Sequence, residues 1–146
     1  MTQPSRRRFA ALASGTAVAA VLVPMAHAQA PGRALRVVFQ VSDAEAAKWG
    51  LTLNNVRNVQ TELPDDPPEL EVVVYGPGIG MLKADTPLAA RIAESLKNGV
   101  KIVACENTMK NMKLVYADML PGIGYVPAGV VELARKQQQG FAYIKA

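Results

Sequence analysis

The chain has 146 residues, with 16 Lys and Arg against 12 Asp and Glu, one cysteine and one histidine. That length suits a single domain, and a lone cysteine excludes an intrachain disulfide. A pI near 9.4 does not imply nucleic acid, because three of the basic residues are Arg6, Arg7 and Arg8 and no basic face interleaved with aromatics follows them.

The N-terminus carries an export pattern. Ser5-Arg6-Arg7-Arg8-Phe9 is a twin-arginine sequence, residues 10–23 are apolar, and Ala26-His27-Ala28 has the small-x-small spacing of a cleavage site. The apolar run is short for a spanning helix, which needs about 20 residues. The expectation is a signal peptide over 1–28, a short flexible stretch over 29–33, and one domain over 34–146. Cleavage after Ala28 places the domain in the periplasm with no lasting membrane association. It also removes three arginines and His27, leaving 13 basic and 12 acidic residues. A mature chain with one Cys and no His cannot assemble a Ser-His, Cys-His or His-metal site.

Residues 34–41 are β-branched and apolar and predict a first strand. Ser42-Asp43 follow as helix-capping residues. Over 44–63, Trp49, Leu53, Val56, Val59 and Leu63 recur at spacings of three and four, one face of a helix. Pro64-Asp65-Asp66-Pro67-Pro68 breaks it. Residues 70–75 predict a second strand, and Gly76-Pro77-Gly78-Ile79-Gly80 follows at once. This glycine loop lacks the Lys and Ser/Thr of a phosphate loop. It reads as a tight turn, or as backbone N–H groups offered to an anion.

Thr86-Pro87 opens a helix with Leu88, Ile92, Ala93 and Leu96 inward, and Asn98-Gly99 ends it. Residues 100–104 predict an interior strand ending at Cys105. Asn107 or Thr108 caps a helix carrying Met109, Met112, Tyr116 and Met119. A fourth strand is expected over 123–126, a helix from Pro127 to Gln139, and a last strand over 141–144. Met81, Met109, Met112 and Met119 suit a core or a subunit interface better than a metal site.

Strands alternating with helices predict an α/β domain with a mostly parallel sheet covered on both faces. Ligands gather outside the carboxyl ends of such strands. That rim collects Cys105 as the reactive candidate, with Ser42, Tyr75, Gly76, Gly78, Glu106 and Asn107 as candidate ligand-binding residues. A helix starting at Asn107 or Thr108 turns N–H groups toward the sulfur and lowers its pKa; the Glu106 carboxylate opposes this, and Lys83 or Lys110 offsets it.

The segment Gly99-Val100-Lys101-Ile102-Val103-Ala104-Cys105-Glu106-Asn107-Thr108 resembles the cysteine segment of the DsrE/DsrF-like proteins. The resemblance continues through Asp118-Met119-Leu120-Pro121-Gly122, Val126-Pro127-Ala128-Gly129-Val130-Val131-Glu132-Leu133 and Gln138-Gln139-Gly140-Phe141-Ala142-Tyr143-Ile144. Upstream, Trp49, Leu53-Asn54-Asn55, Asn58 and Tyr75-Gly76-Pro77-Gly78 also fit. The resemblance implies a three-layer α/β/α domain around a mainly parallel five-stranded sheet, assembled as trimers or hexamers. Some members relay sulfur, a cysteine holding it as a persulfide between donor and acceptor proteins or small thiols. Cys105 is the position onto which that role maps. It implies neither a cofactor nor a metal. Two functions stay open on the residues alone: a sulfur carrier, and a non-catalytic oligomeric module whose rim pocket holds a small ligand or a partner segment.

Overall fold

The computed structural model describes residues 34–146. The export pattern, its cleavage site and residues 29–33 lie outside the described residues. Five strands form one sheet in the order β4-β3-β2-β1-β5: β1 Arg36–Val41, β2 Glu69–Val74, β3 Lys101–Cys105, β4 Gly124–Val126 and β5 Ala142–Lys145. Every neighbouring pair is parallel, so the expected mostly parallel sheet is wholly so. The helices are α1 Ala46–Glu62, α2 Ala89–Lys97, α3 Glu106–Asn111 and α4 Gly129–Gln138, with 3-10 segments at Gly76–Leu82 and Tyr116–Asp118.

Side chains alternate across the strands, and over β1, β2 and β3 both faces are buried. Val37, Phe39, Val72, Val74, Ile102 and Ala104 point to one face, under Trp49, Leu53 and Val56 of α1 and Ile92 of α2. Val38, Val73, Val103 and Val126 point to the other, under Leu133 of α4 and Phe141. The connections explain this division. From β1 to β4 each strand is laid beside the last in one direction. The chain then returns across the sheet to place β5 beyond β1. Crossovers keep one hand, so reversing the direction of travel moves the connecting helix to the opposite face.

Three local details differ from the periodicity. Helix α1 begins at Ala46 with Glu45 in the cap position. Ser42 and Asp43 do not cap it; Asp43 pairs instead with Lys48 at 3.3 Å and Lys145 at 3.5 Å. The glycine loop is a 3-10 segment seven residues long. Helix α3 starts one residue after Cys105 and stops at Asn111, well short of Met119. Lys113 adopts a left-handed φ of 56°. The Lys113 N–H then bonds the Lys110 carbonyl and the Leu114 N–H the Met109 carbonyl, the paired bonds that terminate a helix. Leu114 is thereby delivered to the core.

The α4 face also buries a charge. Glu71 is 1% exposed, with Lys136 Nζ at 2.7 Å and Lys101 Nζ at 3.2 Å. Neither carboxylate oxygen has a well-directed hydrogen-bond donor among the described residues, so charge attraction alone holds it. Removing one member of a buried pair strands the other, at about 3–5 kcal/mol, whereas an apolar pair of similar volume is close to neutral. Lys136→Met is therefore expected to lower the urea unfolding free energy by a few kcal/mol, and Glu71→Leu in the same chain to restore most of it. Equal stability of the single variant and the wild type would contradict this.

Candidate functional site

The sheet sends two neighbouring connections to opposite faces at one place. After β3 the chain turns into α3, whose Met109 joins the α1–α2 core; after β4 it turns to α4 on the other side. Strands β3 and β4 are adjacent, so the two exits diverge at their carboxyl ends, the topological position at which open α/β sheets bind ligands. Cys105 is the last residue of β3. It shares the face of Lys101 and Val103, pairs with Val126 in register, and is 5% exposed.

Two helix starts converge on its sulfur. Cys105 is itself the residue preceding α3 and takes an extended backbone, φ −78° and ψ 114°. Its side chain stands where a capping side chain stands, facing the N–H groups of Asn107 and Thr108. Asn107 N–H also bonds the Pro127 carbonyl at 3.1 Å, which ties the end of β3 to the segment after β4. The first residue of α4, Gly129, adds a third N–H from the opposite side. The thiol can donate weakly to the Pro127 carbonyl at 3.9 Å.

Burial pushes the Cys105 thiol up, but the Thr108 hydroxyl and the N–H groups of Gly129, Thr108 and Asn107 outweigh it and hold it below its ordinary value. None of these contacts is a fully formed capping hydrogen bond in the strict geometric sense. They are oriented dipoles, and the leading ones are all neutral.

The other sequence-predicted residues divide. Asn107 faces the sulfur. Tyr75, just past β2, packs into the same face as Val126 and Leu133. A Cβ on Gly129 would lie 3.0 Å from the Tyr75 Cβ, so the close approach of α4 to this rim requires glycine there. Gly76 reaches the site indirectly, its N–H donating to Thr108 Oγ1 at 2.9 Å. The Gly78 N–H is taken by the Tyr75 carbonyl at 3.2 Å. A Cβ on Gly78 would stand 2.7 Å from the Val41 carbonyl oxygen, which gives this glycine a packing reason.

Ser42 lies two strands from Cys105, roughly 10 Å in sheet spacing. Its hydroxyl accepts from the Gln40 side-chain amide, whose Oε1 accepts from the Tyr143 hydroxyl. Glu106 turns to the other face and accepts from the Tyr116 hydroxyl at 2.5 Å. There it lines an apolar groove of about 310 Å³ with Met109, Lys110, Leu114, Val115 and Tyr116, which does not include Cys105. Among the described residues no three His, Cys, Asp or Glu gather as metal ligands, and no helix is long and apolar enough to cross a membrane.

Sequence reasoning missed Gly129, the Pro127 carbonyl and the role of Thr108. Glycine between a proline and a helix is a signal of close approach, but only the strand order tells which neighbour it approaches.

The profile of the DsrE/DsrF-like family matches residues 35–146. The chain belongs to the DsrE/DsrF-like family. A protein of unknown function from Methanobacterium thermoautotrophicum is 32% identical, with a TM-score of 0.73 over 77% of this chain and 99% of that one. A conserved protein of unknown function from Bacteroides thetaiotaomicron is 14% identical, with a TM-score of 0.63 over 76% of this chain and 94% of that one, and it shares the fold. No curated protein matches. The five-stranded α/β architecture is thus that of DsrE-like neighbours, in a family associated with sulfur relay.

A thiol held below its unfolded value stabilises the fold above the unfolded pKa and loses that contribution as pH falls through the folded one. The stability of the wild type relative to Cys105→Ser, read from urea unfolding, should therefore rise between neutral and alkaline pH. A flat or falling difference would contradict the dipole arrangement.

Proposed function

We propose that this DsrE/DsrF-like protein is a sulfur carrier that holds sulfane sulfur as a persulfide on Cys105. The observation that supports the reading best is the convergence of neutral donors on one sulfur at the carboxyl end of β3. The Cys105 thiolate attacks the outer sulfur of a donor persulfide, R–S–SH. The donor S–S bond breaks, a new S–S bond forms, and the donor leaves as thiolate. Unloading runs the same way: an acceptor thiolate attacks the outer sulfur and Cys105 leaves as thiolate. The Cys105 sulfur is formally oxidised on loading and reduced on unloading, and no external redox partner is needed.

Donors directed at the inner sulfur stabilise it as a thiolate, both as nucleophile and as leaving group, so both steps gain. General-base catalysis is not required when the nucleophile is already ionised. With one cysteine in the chain, the acceptor is another molecule or another subunit.

On this reading the protein is exported by the twin-arginine route, loses residues 1–28, and works in the periplasm as a homo-oligomer, a trimer or a hexamer. The second reading, a non-catalytic pocket with Cys105 in its wall, draws on the thiol's 5% exposure, which restricts the reactant to something small.

Mass spectrometry of protein recovered from the periplasm separates the two. The carrier reading expects rapid alkylation of Cys105 in the native state near neutral pH. It also expects a gain of one sulfur atom with a low-molecular-weight persulfide, reversed by added thiol and lost in Cys105→Ser. A thiol that reacts only after unfolding leaves the binding module as the surviving reading.

A further inference from the structure

The hydroxyls within the helices mostly bond back to the carbonyl four residues earlier. Thr52 donates to Lys48, Ser95 to Arg91 and Thr61 to Arg57, at 2.9–3.0 Å. Thr108 does otherwise. It sits in the first turn of α3, three residues after Cys105, where the residue four back is Ala104 of β3. Its oxygen accepts from the Gly76 N–H at 2.9 Å. A hydroxyl has one proton and two lone pairs. With one lone pair engaged from the glycine loop, and with no carbonyl accepting its proton among the described residues, that proton is uncommitted.

We infer that Thr108 is a positioning residue for the Cys105 thiolate: the Gly76 N–H fixes the Thr108 hydroxyl, and the hydroxyl donates to the sulfur whenever it carries charge. The chain of bonds runs from the loop after β2, through α3, to the end of β3. It gives the glycine loop a part in the site without contact with the reactant. Loading exchanges the thiolate for a persulfide whose charge moves to the outer sulfur, so the hydroxyl favours the unloaded, nucleophilic state and the departing thiolate in unloading. This deepens the carrier reading and rests on it.

The groups that face the sulfur are neutral. Of the titratable residues next to it in chain and sheet, Tyr75 ends β2 and packs on the same face, and the Glu106 carboxylate is engaged by Tyr116 on the other face; no charged group is among those acting on the thiol. The segment from β4 into α4 presents Pro127 and Gly129 to it, neither of which titrates. A change in the pH dependence of Cys105 reactivity on altering Thr108 is therefore a readout of the hydroxyl itself.

The test is the rate of Cys105 alkylation against pH in the full native chain, for wild type, Thr108→Val and Thr108→Ser, with thermal unfolding measured alongside. Thr108→Val removes the proton and keeps the volume. Its profile should move to higher pH, with alkylation at neutral pH falling roughly tenfold, the scale of one hydrogen bond to a charged group. Thr108→Ser should return the profile to that of the wild type. If Val at this position leaves the chain unfolded, Thr108→Ala carries the same comparison. Unchanged midpoints in folded Val or Ala variants overturn the inference and leave the carrier reading intact. So does a shift that Ser fails to restore. A wild-type thiol silent toward alkylation and persulfide alike overturns both.

Discussion

The constraint on which this structure depends is the departure of two adjacent strands to opposite faces of the sheet. β3 and β4 run side by side, yet one leads to α3 and the other to α4. The seam where the two exits part holds the carboxyl end of β3. The bond from Asn107 N–H to the Pro127 carbonyl ties the two exits together at this seam. Cys105 is placed at this seam by strand length alone. One residue fewer in β3 would turn the side chain to the opposite face, into the α1–α2 core.

The means of activation follows from what surrounds the seam. Cationic side chains are the simplest way to favour a thiolate, but the buried α4 lysine, Lys136, pairs with Glu71 at the far end of the strands from Cys105. What remains at the carboxyl end are backbone N–H groups and one hydroxyl. Such donors are fixed by the fold, cost no reorganisation when charge develops, and are insensitive to salt. The same geometry limits the chemistry. With one cysteine in the chain, dithiol exchange within it lacks a partner, while the proposed transfer of a sulfur atom needs only a good nucleophile that is also a good leaving group.

Most of the fold was legible in the sequence. Apolar runs broken by proline and glycine placed all five strands within a residue or two; the three inner strands, buried on both faces, leave an unbroken apolar record, and the short outer two are marked by their flanking glycines and proline. The ends of the short helices were not legible. Cys105 standing at the N-cap position of α3 and Lys113 stopping the helix are backbone events that no periodicity reports. The site was legible in part. Cys105 and Asn107 lie at the seam, whereas Ser42 and Glu106 are turned to other tasks, since a position at the end of a strand fixes the rim but not the face. Gly129 and the Pro127 carbonyl come to the sulfur from beyond β4, more than twenty residues later in the chain, and only the strand order brings them there.

A chain with one cysteine allows the central claim to be read from one atom. The 13C resonance of Cys105 Cβ, followed through a pH titration of the native protein at low and at high ionic strength, reports the thiolate directly. Activation by neutral dipoles requires a midpoint below the ordinary thiol value of about 8.5, unmoved by salt. A midpoint at or above that value, or one that shifts markedly with salt, would contradict the account.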